Sequence, residues 1–240
     1  TPAVFAYGHF FGYFPGSLYD EIVPLPAALT NLRVVTAILV FGLLALVRAH
    51  FDPARGQLAL RPLPGRVALS AFGAFGLSIG VAAEIFGADL GLRTSAAYIA
   101  DELGAHVESV RCELVVPREM RRPRRARLAA DCDFRVAQME RWFGLRQRER
   151  VRVYLFRSAE EKRRLMGAAT TNIAKPWRRE VYLQDRAWPH PVLAHEVAHV
   201  VAGNAAPGAF RLAGRLGGLW PDAALVEGAA VAAAWEASSQ

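Results

Sequence analysis

At 240 residues the chain has room for one large domain or two small ones, and a hydrophobic fraction of 53% is high enough for part of it to meet lipid. The net charge of +7 rests almost wholly on arginine, because Lys162 and Lys175 are the only lysines, and the excess is concentrated in residues 118–127. One basic cluster, with no Gly-rich phosphate loop, nucleotide fingerprint or RNA-binding signature, argues against nucleic acid as a partner.

Residues 1–28 lack Lys and Arg and are rich in Phe, Tyr, Gly and Pro, a composition at home at a membrane–water interface; His9 reads as an interfacial or loop histidine. Val34–Val47 carries no charge, and extended back through Ala27, with Arg33 as the one interruption, it predicts a bilayer-spanning helix over about 27–47. A second uncharged run, Val67–Ala83, continues to Gly87 and predicts a span over 67–87. Its Gly76 and Gly80 form a G-x-x-x-G pair suited to close helix packing. The bland alternative for both runs is a buried helix of a soluble core.

The segment between them, 48–66, holds Arg48, Arg55, Arg61 and Arg66 against the single acid Asp52. Positive charge is retained on the cytoplasmic side, so this loop is expected there and everything after residue 92 outside the cytoplasm.

Beyond the spans the pattern changes. His106–Val116 alternates apolar and polar residues and predicts one half-buried strand, ended by Pro117. The six arginines of 118–127 are either a solvated helix start or a contact for anionic lipid headgroups. Apolar spacing predicts a helix over 126–143 closed by Gly144, then a strand over 151–156. Next comes a helix over 159–166, capped by Ser158 with Glu161 as its capping-box partner. A third strand is predicted over 179–184. Cys112 and Cys132 lie on the first strand and the helix after it, and read either as a disulfide or as two buried thiols.

Next comes His195-Glu196-Val197-Ala198-His199, an H-E-x-x-H run flanked by Val192-Leu193-Ala194 and Val200-Val201-Ala202. Pro191 is expected as its first helical residue and Gly203-Asn204 as its stop. Residues four apart share a helix face, so both imidazoles can meet one Zn²⁺, with Glu196 in reach of a water beside it. A third ligand is needed. Glu227, an acid inside the apolar Leu225–Ala230 segment, needs a partner and is the best candidate; Asp222 and Glu236 lie near the predicted helix ends, where solvent suffices.

The H-E-V-A-H run followed by a second helix bearing Glu227-Gly228-x-Ala230 resembles the gluzincin branch of the zincin metallopeptidases. In particular it is similar to the peptidase-MA-like domains of bacterial membrane proteins, over roughly residues 105–240. Together with the two apolar runs, the resemblance gives an expected α+β fold in two parts: a membrane region, 1–92, with two transmembrane helices read from those runs, and a zincin-like catalytic domain, 93–240, built from a mixed sheet and active-site helices. It also implies a zinc-dependent peptidase of the bacterial cell membrane acting outside the cytoplasm, with His195, His199 and Glu227 binding one zinc ion. Glu196 would be the general base toward a zinc-activated water. Val181, Tyr182, Leu183 and Gln184 would form the edge strand that pairs with a peptide or protein substrate.

This sequence departs from the pattern in several places. Ala202 and Ala205 stand where the metzincin continuation needs Gly and His, which excludes that variant. Val231 stands where thermolysin-type enzymes place a further acid, and the spacer between His199 and Glu227 is longer than in compact members. Within it, Ala206–Trp220 is amphipathic and reads as a helix over the cleft or on the membrane. The chain starts without Met and ends soon after Glu227, so it is expected to be a piece of a longer protein, with the oxyanion-stabilising residue beyond Gln240. The alternative function is a membrane-tethered binding or scaffold module that kept the zincin shell without turnover.

Overall fold

The computed structural model describes residues 27–92, 94–206, 211, 213–216 and 220–238. The aromatic stretch expected at a membrane interface, His9 included, lies outside them. The chain divides into two compact units, up to Tyr98 and from Ile99 onward, a few residues later than the composition change at residue 92.

In the first unit, α1 (Ala27–His50) and α2 (Val67–Ile85) are both long and apolar enough to cross a membrane. Between them, β1 (Phe51–Asp52) and β2 (Gln57–Leu58) make a two-residue antiparallel pair. The helices run antiparallel, with Leu39, Gly42 and Leu46 of α1 opposite Gly80, Gly76 and Gly73 of α2. A Cβ on Gly73 would lie 2.6 Å from Leu46 Cγ and 2.7 Å from the Gly42 carbonyl oxygen, so the backbones touch because no side chain intervenes. The polarity of burial is the reverse of a soluble core. Gly73, Gly76, Gly80 and Ala83 are the buried residues of α2, whereas Phe41, Leu44, Phe72, Phe75 and Ile85 point outward. Such a surface suits lipid, where close packing of small residues is what holds helices together.

The second unit is α+β. After α3 (Ala96–Leu103), which straddles the division, come β3 (Gly104–Glu108), β4 (Cys112–Pro117), α4 (Arg122–Phe143), β5 (Val151–Phe156) and α5 (Ala159–Met166). They are followed by β6 (Ile173–Lys175), β7 (Glu180–Gln184) and α6 (Leu193–Ala202). Last are β8 (Arg215–Leu216), β9 (Trp220–Pro221) and α7 (Ala223–Ser238). The sheet order is β3-β4-β5-β7-β6, with β4, β5 and β7 parallel and both outer strands antiparallel to their neighbours. One sheet face, carried by Leu114, Val116, Val153, Leu155, Val181 and Leu183, forms the core with α4, α6 and α7.

Several sequence expectations are corrected here. The single strand over His106–Val116 is a hairpin, β3 and β4, turning at Ser109–Arg111. The turn is organised from α4: Asp133 accepts hydrogen bonds from the backbone N–H groups of Val110 and Arg111 and from the Ser109 hydroxyl. Beside it Cys112 and Cys132 form a disulfide, which resolves the choice left open by the sequence. Because α4 begins at Arg122, most of the arginine run lies in its first two turns. Ser158 caps α5 as expected, accepting from the Glu161 N–H, while Glu161 turns back to the Arg157 N–H. No helix forms at the described residues of the 206–220 insert, where Arg215-Leu216 pairs with Trp220-Pro221.

Two outcomes test this packing. Gly73→Leu should separate α1 from α2 at a cost of about 1–3 kcal/mol, the usual scale of overpacking. Unfolding of the full chain in mixed micelles measures it, with the outward-facing Val81→Leu as the neutral control. Removing the disulfide, which closes a 20-residue separation, should lower the stability of the second unit by about 3 kcal/mol, read from denaturant midpoints of the Cys112→Ala/Cys132→Ala chain.

Candidate metal centre

α6 forms because its apolar residues fall on faces that meet partners. Leu193, Val197, Val200 and Val201 enter the core, and the helix packs on α4, α7, β6 and β7. It starts two residues later than Pro191 suggested, after Val192, and ends at Gly203 as expected. That end is sterically closed, since a Cβ on Gly203 would sit 2.7 Å from Pro176 Cβ and 2.8 Å from the Arg211 carbonyl oxygen. His195 and His199 occupy the remaining face, and their Nε2 atoms stand 3.1 Å apart.

The third group comes from α7. Asp222 starts this helix, its carboxylate accepting from the N–H groups of Ala224 and Leu225, so it is a cap and not a ligand. Ala230 and Ala233 bury one face of α7 against the core, and one turn earlier Glu227 reaches α6. Glu227 Oε2 lies 3.2 Å from His195 Nε2 and 3.6 Å from His199 Nε2. Two imidazole nitrogens and a carboxylate oxygen thus form a triangle from two helices, the one such metal-competent group with at least three members among the described residues.

The triangle fits a small divalent ion. Tetrahedral bonds of about 2.0–2.1 Å place ligand atoms about 3.3 Å from one another, close to the separations found. Burial lowers the His199 pKa, favouring the neutral imidazole that can donate a lone pair, while the neighbouring Glu227 works against that shift and His195 adds to it. Glu227 is half exposed, so one side of the triangle is open to water.

Glu196 is buried at 6% exposure, and desolvation pushes its carboxyl up to about 8, with Lys162 opposing and Glu227 adding to the shift. Lys162 was not anticipated as part of this environment. It is fully buried on α5, and its ammonium donates to the Thr171 carbonyl. One sequence signal was available: in a chain whose basic residues are otherwise all arginine, each lysine is an exception, and both turn out to be interior.

The edge-strand expectation is corrected. Val181, Tyr182, Leu183 and Gln184 belong to β7, which is buried throughout and lies between β5 and β6. Val181 pairs with Val153 and Ala174, and Tyr182 with Tyr154 and Ile173, so neither has a free edge to offer, while Leu183 and Gln184 pair with β5 alone. The outer strand on this side is β6, three residues long and too short to show any periodicity in sequence. It lies against α6. On the sheet face away from the core, Tyr182 stacks on Tyr154 and donates to Glu180, which holds Arg178 at 2.6 Å. Lys175 of β6 sits over the Tyr182 ring, 3% exposed, with no hydrogen-bond partner for its Nζ among the described residues.

Searches against protein-family models, curated proteins and solved structures find no match for this chain.

Burial pushes the Lys175 ammonium down to about 7, with Glu180 opposing and Arg178 adding. The unfolded chain holds that proton up to about pH 10.5, so between about 7 and 10.5 unfolding takes up a proton and stability rises with pH. Below about 7 the buried charge costs its full amount. Lys175→Met should therefore stabilise the chain by about 1–2 kcal/mol at pH 6, the gain fading toward pH 10. Denaturant midpoints across that range check it, and a pH-independent difference would contradict it.

Proposed function

We propose that the chain is a membrane-anchored zinc metallopeptidase of the gluzincin kind, with His195, His199 and Glu227 as metal ligands and Glu196 as general base. The observation that carries this reading is the triangle of Nε2, Nε2 and Oε2 at 3.1, 3.2 and 3.6 Å, drawn from an H-E-x-x-H helix and a second helix. Zinc bound there supplies a Lewis acid that polarises a scissile carbonyl and makes a coordinated water acidic near neutral pH.

The chain's own residues supply the rest. His195, His199 and Glu227 would hold the ion, and the half-exposed Glu227 keeps that side of the triangle open to water. Glu196, next to His195 on α6 and largely withdrawn from solvent, is placed to take a proton from water and return it to the leaving amine. β6, antiparallel to β7 and lying against α6, offers the backbone edge along which an extended peptide can add as a strand.

Membrane anchoring rests on α1 and α2, whose large apolar residues point outward. The four arginines of the connecting segment favour its retention in the cytoplasm, and this supports a second unit on the outer side. The Cys112–Cys132 disulfide fits that assignment, because such bonds persist in oxidising compartments.

The test is metal content and turnover of the full chain in detergent. The native protein should hold zinc at one equivalent and cleave an unstructured protein substrate. His199→Ala should lose both metal and activity. Glu196→Gln should keep the metal and lose turnover by at least about a hundredfold. Zinc with no turnover in the native chain would favour a scaffold, and unchanged turnover in Glu196→Gln would overturn the mechanism.

A further inference from the structure

The arginine run plays no part in the metal centre, yet the structure gives it a shape. At the start of α4, Arg121, Pro123, Arg124, Arg127 and Leu128 line a cleft of about 230 Å³ that Trp188, from the segment before α6, completes. Most sites that engulf an organic ligand measure roughly 300–1,000 Å³, so this one is sized for a small group.

Its charge is unbalanced. The run's one acid, Glu119, is held by Arg157 at 2.9 Å. Asp185 beside the cleft is held by Arg124, whose Nη2 donates to the carboxylate and to the Arg186 carbonyl, each at 2.6 Å. Arg124 is thereby fixed as a wall. Arg121 and Arg127 are exposed and have no acidic partner among the described residues. Apolar surface lines the same cleft: Pro123 is exposed, and Trp188 is 57% exposed.

We propose that this cleft binds the headgroup of an anionic phospholipid, with the phosphate between Arg121 and Arg127 and the Trp188 ring at the boundary with the acyl chains. Cationic side chains sharing a cleft with an amphipathic ring is the composition of membrane interfaces, where the ring sits at headgroup level and each arginine gains from a negative surface. A chain carrying two helices long and apolar enough to cross a bilayer also keeps lipid at high local concentration. Nucleic acid fits less well, because recognition of a polyanion calls for an extended basic stripe and this is one compact cleft.

The experiment uses the full chain in phosphatidylcholine nanodiscs containing a trace of lipid spin-labelled at the headgroup and a rising fraction of phosphatidylglycerol. Trp188 emission is taken as the difference between the native chain and Trp188→Phe. Quenching should rise with phosphatidylglycerol, weaken with salt, and lose about fivefold in apparent affinity for each of Arg121→Gln and Arg127→Gln. Both side chains are exposed, so the fold is left in place, which near-UV circular dichroism checks. Quenching that ignores phosphatidylglycerol, or that is undiminished in the double variant, overturns the proposal. Inorganic phosphate giving the same emission change in discs of phosphatidylcholine alone would assign the cleft to a free anion, and an equal response to oligoglutamate would assign it to an acidic peptide; either result rejects the lipid.

Discussion

The site depends on how little of α6 is free. Its apolar residues are committed to α4, α7 and the sheet, and the face left over carries His195 and His199. A helix held on several sides cannot roll, so the two imidazoles present their Nε2 atoms to one point without help from a loop. Glu227 can reach the same point because α7 is packed down through Ala230 and Ala233, residues small enough to let the helices approach. Were a metal bound there, its affinity would draw on apolar packing one turn away from the ligands, because that packing orders them in advance.

The same economy fixes the far end of the sheet. Two adjacent residues of α4 hold the β3–β4 hairpin: Cys132 by a covalent bond to Cys112, and Asp133 by three hydrogen bonds to the turn. With one outer hairpin tied to α4 and α4 packed on α6, the sheet and the helix that carries both histidines are packed together. The polar face of the sheet is separately organised around Tyr154, Tyr182 and Glu180, with Lys175 buried over a tyrosine ring.

How much of this was legible depended on the range of the interaction. The H-E-x-x-H helix, the two apolar helices, the Ser158 cap and the αL glycine at 144 are local, and periodicity and capping residues exposed them. Glu227 was found by a physical argument, an acid in an apolar helix that must meet something, and the structure brings it beside both histidines. Strand order was not legible. Glu180–Gln184 reads as a strand in any position, and whether it is an edge depends on Ile173–Lys175, too short to carry a pattern. The β3–β4 turn was hidden for the opposite reason: Ser109–Arg111 continues the apolar–polar alternation, and only Asp133, far along the chain, shows where it bends. Lysine burial left a trace only in composition.

In the proposed centre α6 and α7 converge on one metal ion through two imidazoles and a carboxylate. X-ray absorption at the zinc edge of the purified full chain tests it most directly. The expected spectrum has nitrogen and oxygen neighbours at about 2.0–2.1 Å with more distant scattering from two imidazole rings, reduced to one ring in His195→Ala. A zinc shell without imidazole scattering, or one unchanged by that substitution, would contradict it.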